Sequence, residues 1–189
     1  MGFHHVALAT KDLAATHKFY TEVMGFSLVK TIIGPVPGSP DGWARHVFYD
    51  TGSQGMIAFW DIHDVQWKDG YPTDINKAVG LPGWVNHFAY FAGSREFLDE
   101  RRKNWTAHGH MVAEVDHEFC ISIYTSDPDG NTVEFCFDTR EFTDEEKIEA
   151  LKQEKEKLEI LKQEKERLKN LQSAKKATPK TSELIIKHY

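Results

Sequence analysis

The sequence predicts an α+β fold in which two βαβββ units form one curled mixed-sheet barrel around a cup, with a long C-terminal helix appended. Three observations predict it. A strand, a helix and three further strands follow one another twice, in units of about 3–61 and 84–138. The first strand of each unit carries a histidine at the matching place, His5 and His87, with small residues beside it. After Arg140 the composition turns abruptly to Glu, Lys and Leu. Residues 1–140 are therefore read as one domain and 141–189 as a charged helical extension.

Each element has a local reason. Residues 4–10 form a short apolar strand, and Thr10, Lys11 and Asp12 then open a helix carrying Leu13, Phe19, Tyr20 and Val23 at helical spacing, stopped near Gly25. Strand-like runs follow at 26–33, 43–50 and 55–61. In the second unit, residues 85–92 read as a strand, Ser94 opens a helix reaching about Ala107, and strands are expected near 110–115, 119–125 and 131–137. Asp127-Pro128-Asp129-Gly130 is a turn, because Pro128 presets φ and Gly130 accepts a positive φ. Between the units, residues 62–84 hold Gly70, Pro72, Gly80, Pro82 and Gly83 and read as a long ordered loop, of the kind that covers a site.

In the extension, Thr143 with Glu146 makes a capping box, so the helix is expected to start there. Its apolar residues fall in pairs, Ile148/Leu151, Leu158/Leu161 and Leu168/Leu171, offset by ten residues. At ~100° per residue that offset winds the stripe around the helix by about 80° per repeat, which disfavours a regular coiled coil. A solvated, salt-bridged helix and a helix whose apolar patches dock on the barrel or on a second subunit both remain open. Ala177 and Pro179 should end it, with residues 184–189 beyond as a docking segment or a frayed end.

Composition excludes several function classes. With 189 residues and 40% hydrophobic residues the chain builds a real core. The net charge of -6, with Lys and Arg clustered only in a charge-balanced tail, argues against nucleic acid as a partner. No apolar run approaches the ~20 residues that span a bilayer, so no membrane partner is expected. The N-terminus lacks the basic and apolar regions of a secretory signal and the pattern for myristoylation, and Cys120 and Cys136 on strands read as reduced thiols, so the expected location is cytoplasmic.

The chemistry-bearing residues converge on the cup. By the strand period of two, His5, Ala7 and Ala9 share one face, as do His87, Ala89 and Phe91. Glu134 interrupts Val133, Phe135 and Phe137 after the turn. Two imidazoles and one carboxylate from three strands bind a divalent metal facially and leave three positions open. His4, His17, His46, His63, His108 and His110 taken singly read as structural histidines, and Glu134 as a cross-strand partner is the plain alternative.

Residues 4–29, 85–93 and 123–135 also resemble three diagnostic segments of the vicinal oxygen chelate superfamily, which includes glyoxalase I, fosfomycin resistance transferases, methylmalonyl-CoA epimerases and type I extradiol dioxygenases. The resemblance covers roughly residues 3–138 and implies the paired βαβββ cup with His5, His87 and Glu134 as metal ligands. Members with four ligands place a Glu or Gln on the last strand of the first unit. Here Ala58 or a neighbouring apolar residue stands there, with Gln54 and Asp61 at the strand's ends. The run His117, Ile123, Tyr124, Asp127, Pro128, Gly130 and Glu134 is similar to the extradiol dioxygenase signature. The larger dioxygenases carry one more acid/base histidine, whose place near position 72 reads Tyr71-Pro72-Thr73, leaving that task to a loop histidine, His63 or His46, or to Tyr124 and His117 together.

The resemblance therefore implies a single-barrel, non-haem Fe(II) extradiol dioxygenase that opens a catecholic ring with O2. Tyr124 and His117 are its catalytic pair and a small aromatic diol its substrate. The apolar patches of the tail add the expectation of a homo-oligomer, with the C-terminal helix as a candidate contact. The alternatives are a redox-neutral lyase, isomerase, epimerase or thiol transferase using Mn(II), Ni(II) or Zn(II) on the same ligands, and a metal-free binding or resistance protein. Phe48, Phe59, Trp60, Phe91 and Phe119 are expected to wall a pocket or to belong to the core.

Overall fold

A computed structural model describes residues 3–52 and 55–177. The chain divides into two compact units, Met1–Arg140 and Glu141–Tyr189. In the first, β1 (His5–Thr10) leads into α1 (Leu13–Lys18), which Asp12 caps by accepting from the Ala15 N–H at 3.0 Å. The helix continues as a wider π-helical segment, Phe19–Val23, and stops at Gly25, whose φ is +78°. β2 (Ser27–Pro35), β3 (Trp43–Asp50) and β4 (Met56–His63) complete a four-stranded sheet in the order β1-β4-β3-β2, with β1 parallel to β4. The second repeat gives β5 (His87–Phe91), a helix at Arg95–Ala107, β6 (Ala113–Asp116), β7 (Cys120–Ser126) and β8 (Thr132–Asp138), in the order β5-β8-β7-β6, with β5 parallel to β8.

The repeat and the α+β class are therefore as the sequence predicts, but the two sheets stay separate and do not close into a barrel within the chain. The physical reason lies in which faces find a partner. Tyr20, Phe26, Tyr49, Ile57 and Phe59 from the first repeat and Leu98, Trp105, Ile123, Val133 and Phe135 from the second share one buried core. The Asp127–Gly130 turn clasps the repeats together. The Tyr20 hydroxyl donates to Asp127 at 3.0 Å, the Thr16 hydroxyl to Asp129 at 3.2 Å, and the Lys11 N–H to Asp129 at 3.2 Å. Packing is thus satisfied on one face of each sheet, while β1 and β5 are left as sheet edges and their other faces, with His5, Ala7, His87 and Ala89, are exposed.

The 62–84 connection is ordered around two short turns, a 3₁₀ segment Val65–Trp67 capped by Asp64 and a helical turn Ile75–Ala78 capped by Asp74. Asn76, 1% exposed, ties it down: its amide donates to the Gly83 and Asn86 carbonyls at 2.9 and 2.8 Å, and its oxygen accepts from the Asn86 N–H at 2.9 Å.

The second unit carries the long helix Asp144–Ala177. The expected capping box is present: Glu146 accepts from the Thr143 N–H at 2.8 Å and donates its own N–H to the Thr143 hydroxyl at 3.2 Å. Ion pairs at i,i+3, such as Lys147–Asp144 and Arg167–Glu164, run along it. Pro179 and residues 184–189 lie outside the described residues.

Candidate metal centre

Four of the five residues singled out in the sequence meet on one sheet face. Glu134 projects from β8, opposite Ala89 of β5 and Tyr124 of β7, and is 4% exposed. Its Oε2 lies 3.2 Å from His87 Nε2. Tyr124 stands edge-on to His87, with ring centroids 6.1 Å apart, and its hydroxyl shares a 3.0 Å hydrogen bond with His117 Nε2. Burial, and next to it the Glu134 charge, push the Tyr124 phenol above its ordinary value, so it stays protonated at neutral pH. His117 reaches Tyr124 because the β6–β7 hairpin turns sharply at Glu118, whose φ of 69° is rare for a residue with a side chain.

The fifth residue is elsewhere. His5 lies on β1 of the other sheet, exposed, with Nδ1 2.8 Å from His4 Nδ1 and its ring 5.5 Å from Phe48. Among the described residues, no three His, Cys, Asp or Glu side chains stand together as a metal site. The β1–β4 register sets Met56 directly opposite His5, and Ala58 opposite Ala7. In the second repeat Glu134 lies opposite Ala89, two residues past His87, so the matching position in the first repeat, opposite Ala7, is Ala58, and a methyl group stands where a fourth ligand would. Gln54 lies outside the described residues. Asp61 faces away from the cup, where it accepts from Arg45 Nε at 2.7 Å and lies 3.0 Å from His63 Nε2.

The loop-histidine expectation needs two corrections. His63 ends β4 on the face opposite His5, stacked on Trp43 at 4.0 Å and held by Asp61. His46 belongs to β3, not to a loop, and stands on the His5 face, 6.4 Å from the His5 ring and stacked on Trp60 at 3.8 Å. It is 8% exposed and its Nε2 has no hydrogen-bond partner. Burial, and then the His5 charge, lower its pKa. Alternation along 43–50, placing Ala44, His46 and Phe48 on one face, was the available signal. Of the five aromatic residues expected at the pocket, Phe59 is fully buried core, while Trp60 and Phe91 are exposed on the two cup faces. Cys120 and Cys136 are both free thiols, and burial pushes Cys136 up to about 11.

The donor set suits a divalent cation. Glu134 is a buried carboxylate whose ion-pair partner is a histidine, charged only when protonated, and an unneutralised carboxylate at that depth is costly. The sequence profile of the Glyoxalase/Bleomycin resistance protein/Dioxygenase superfamily matches residues 2–135. The chain belongs to that superfamily. No curated protein matches it.

Solved structures of other members resemble it. A lactoylglutathione lyase from Agrobacterium tumefaciens is 26% identical, with 72% of this chain and 92% of that one covered, at a TM-score of 0.48. The fosfomycin resistance protein FosX from Listeria monocytogenes is 20% identical over 77% and 97% of the two chains, with a TM-score of 0.51. A putative dioxygenase from Bacillus subtilis is 18% identical over 72% of this chain and 40% of that one, with a TM-score of 0.54. The two with TM-scores above 0.5, both under 25% identical, speak to the fold alone and leave the chemistry to the site.

Proposed function

We propose that this superfamily member is a metal-dependent oxygenase that cleaves a catecholic ring beside its two hydroxyls, with His5, His87 and Glu134 holding Fe(II). The observation that carries the reading is the Tyr124–His117 hydrogen bond set beside the Glu134–His87 pair on one sheet face. A redox-neutral member with four ligands would want a carboxylate or amide where Ala58 faces Ala7.

When bound, the metal supplies a Lewis acid and a template for a chelating diol and O2. The chain's residues do the rest. The neutral Tyr124 phenol hydrogen-bonds a substrate oxygen next to Glu134, and His117, linked to that phenol, orients it and takes or returns a proton. Ala89 and Ala7, small residues beside the two histidine strands, leave room for the ring.

Because one chain brings His87 and Glu134 together but leaves His5 on an exposed face of the other sheet, the centre is completed between two copies. The His5 face of one copy meets the Glu134 face of the next, and the open β1 and β5 edges become neighbours. Anaerobic reconstitution with Fe(II), followed by O2 uptake on adding a catechol and a yellow ring-opened product, tests the activity. Absence of O2 uptake with Fe(II) bound would exclude it.

A further inference from the structure

The face that carries His5 also carries a groove. It is lined by Ile32, Ala44, Trp60, Ile62 and Pro35, with Trp67 from the 62–84 connection, and has a volume of about 540 Å³. Small-molecule pockets run roughly 300–1,000 Å³. No charged side chain lines it. Ile32 and Trp60 remain 49% and 39% exposed, an apolar surface in need of cover.

Register fixes where the groove lies. Ile32, His46 and Trp60 stand side by side across β2, β3 and β4, and Gly34, Ala44 and Ile62 form the next row outward. The His46 ring spans the gap, 6.4 Å from His5 on one side and stacked 3.8 Å from Trp60 on the other. The groove thus begins about one aromatic ring beyond His5. A diol anchored near His5 would point whatever its ring carries into this space.

Resting on the ring-cleavage reading, we propose that the groove takes an uncharged apolar substituent, so that the substrate is a ring diol bearing an aryl or alkyl group and not a bare or carboxylated catechol. A carboxylate placed there would lose its water and meet no Arg or Lys among the lining residues. A phenyl group removes on the order of 100 Å² of apolar surface from water, worth about 10- to 100-fold in affinity.

The test is calorimetric titration of the full chain, metal-free and anaerobically Fe(II)-loaded, with catechol, 3- and 4-phenylcatechol and 3,4-dihydroxybenzoate. At least one phenylcatechol should bind about 10-fold or more tighter than catechol, with the carboxylated diol no tighter. Trp67→Ala and Ile32→Lys should each erase most of that gain, at unchanged melting temperature and sedimentation. Ile32 is half exposed, so the lysine is tolerated by the fold. Equal affinities, or a gain that survives both substitutions, would overturn the proposal. So would an Ile32→Lys chain that sediments as a smaller species than the parent, since the second copy would then be seated in the groove itself, on β2, and not only along the His5 strand. Binding and turnover separate the two readings: a phenyl gain without O2 uptake condemns the ring cleavage, and O2 uptake without a phenyl gain condemns the groove.

Discussion

At the residue scale, three side chains carry separable consequences. Tyr124→Phe removes the phenol from its hydrogen bond with His117 and leaves the Glu134–His87 pair in place, so kcat should fall about 10²-fold or more with Fe(II) affinity nearly unchanged, read by steady-state O2 uptake and metal titration. Glu134→Ala removes the buried carboxylate and should abolish metal binding while leaving the fold intact or slightly more stable, because an unneutralised carboxylate is taken out of the interior. Asp127 gives a pH signature. Burial pushes it up to about 6, against roughly 4 in an unfolded chain, so the folded state keeps a proton that the unfolded state has released between those values. Its contribution is full below pH ~4 and is lost as pH rises through ~6, at most about 3 kcal/mol. Urea midpoints at pH 5 and 7 should therefore move closer together in Asp127→Asn, and an unchanged difference would contradict the assignment. Glu134 stands out in the sequence as a carboxylate on an apolar strand and His87 by its match to His5 in the repeat, whereas Tyr124 and His117 are marked only by the resemblance to the extradiol signature. Asp127 was legible only as a turn residue. Its service as acceptor for Tyr20, 107 positions away, is a long-range contact on which local spacing is silent.

At the element scale, the sequence is most informative where a cap or turn has its own chemistry. Arg95–Ala107 ends where expected, the Thr143/Glu146 box forms as written, and Gly130 needs its glycine twice over, since φ is +93° and a Cβ would sit 3.1 Å from Asp74 Oδ2. The 62–84 connection was legible as a loop but not as a structure, because its anchor is one buried amide, Asn76, bonded to backbone groups seven and ten residues on. Asn76→Ala should leave those groups unsatisfied and lower stability by about 2–4 kcal/mol, a clear drop in melting temperature. A neutral result would show that the connection is held by other contacts. His46 was hidden for a related reason. Alternation along 43–50 puts His46 on one face of its strand, but that this is the His5 face follows only from the cross-strand register.

At the scale of the whole molecule, the repeat predicted one closed cup, and the chain supplies two open half-cups packed back to back through a common core. Sequence periodicity says which face of a strand is polar or small, but not whether that face meets its counterpart in the same chain or in another copy. The central claim is that His5 from one copy and His87 with Glu134 from another form a single centre. Co-refolding equal amounts of His5→Ala and Glu134→Ala chains, each inactive alone, tests it by counting tightly bound Fe(II). In a mixed dimer one of the two centres receives all three intact ligands, so random pairing should restore about a quarter of the wild-type metal content. No recovered binding in the mixture would mean that the ligands must come from one chain, and would contradict the account.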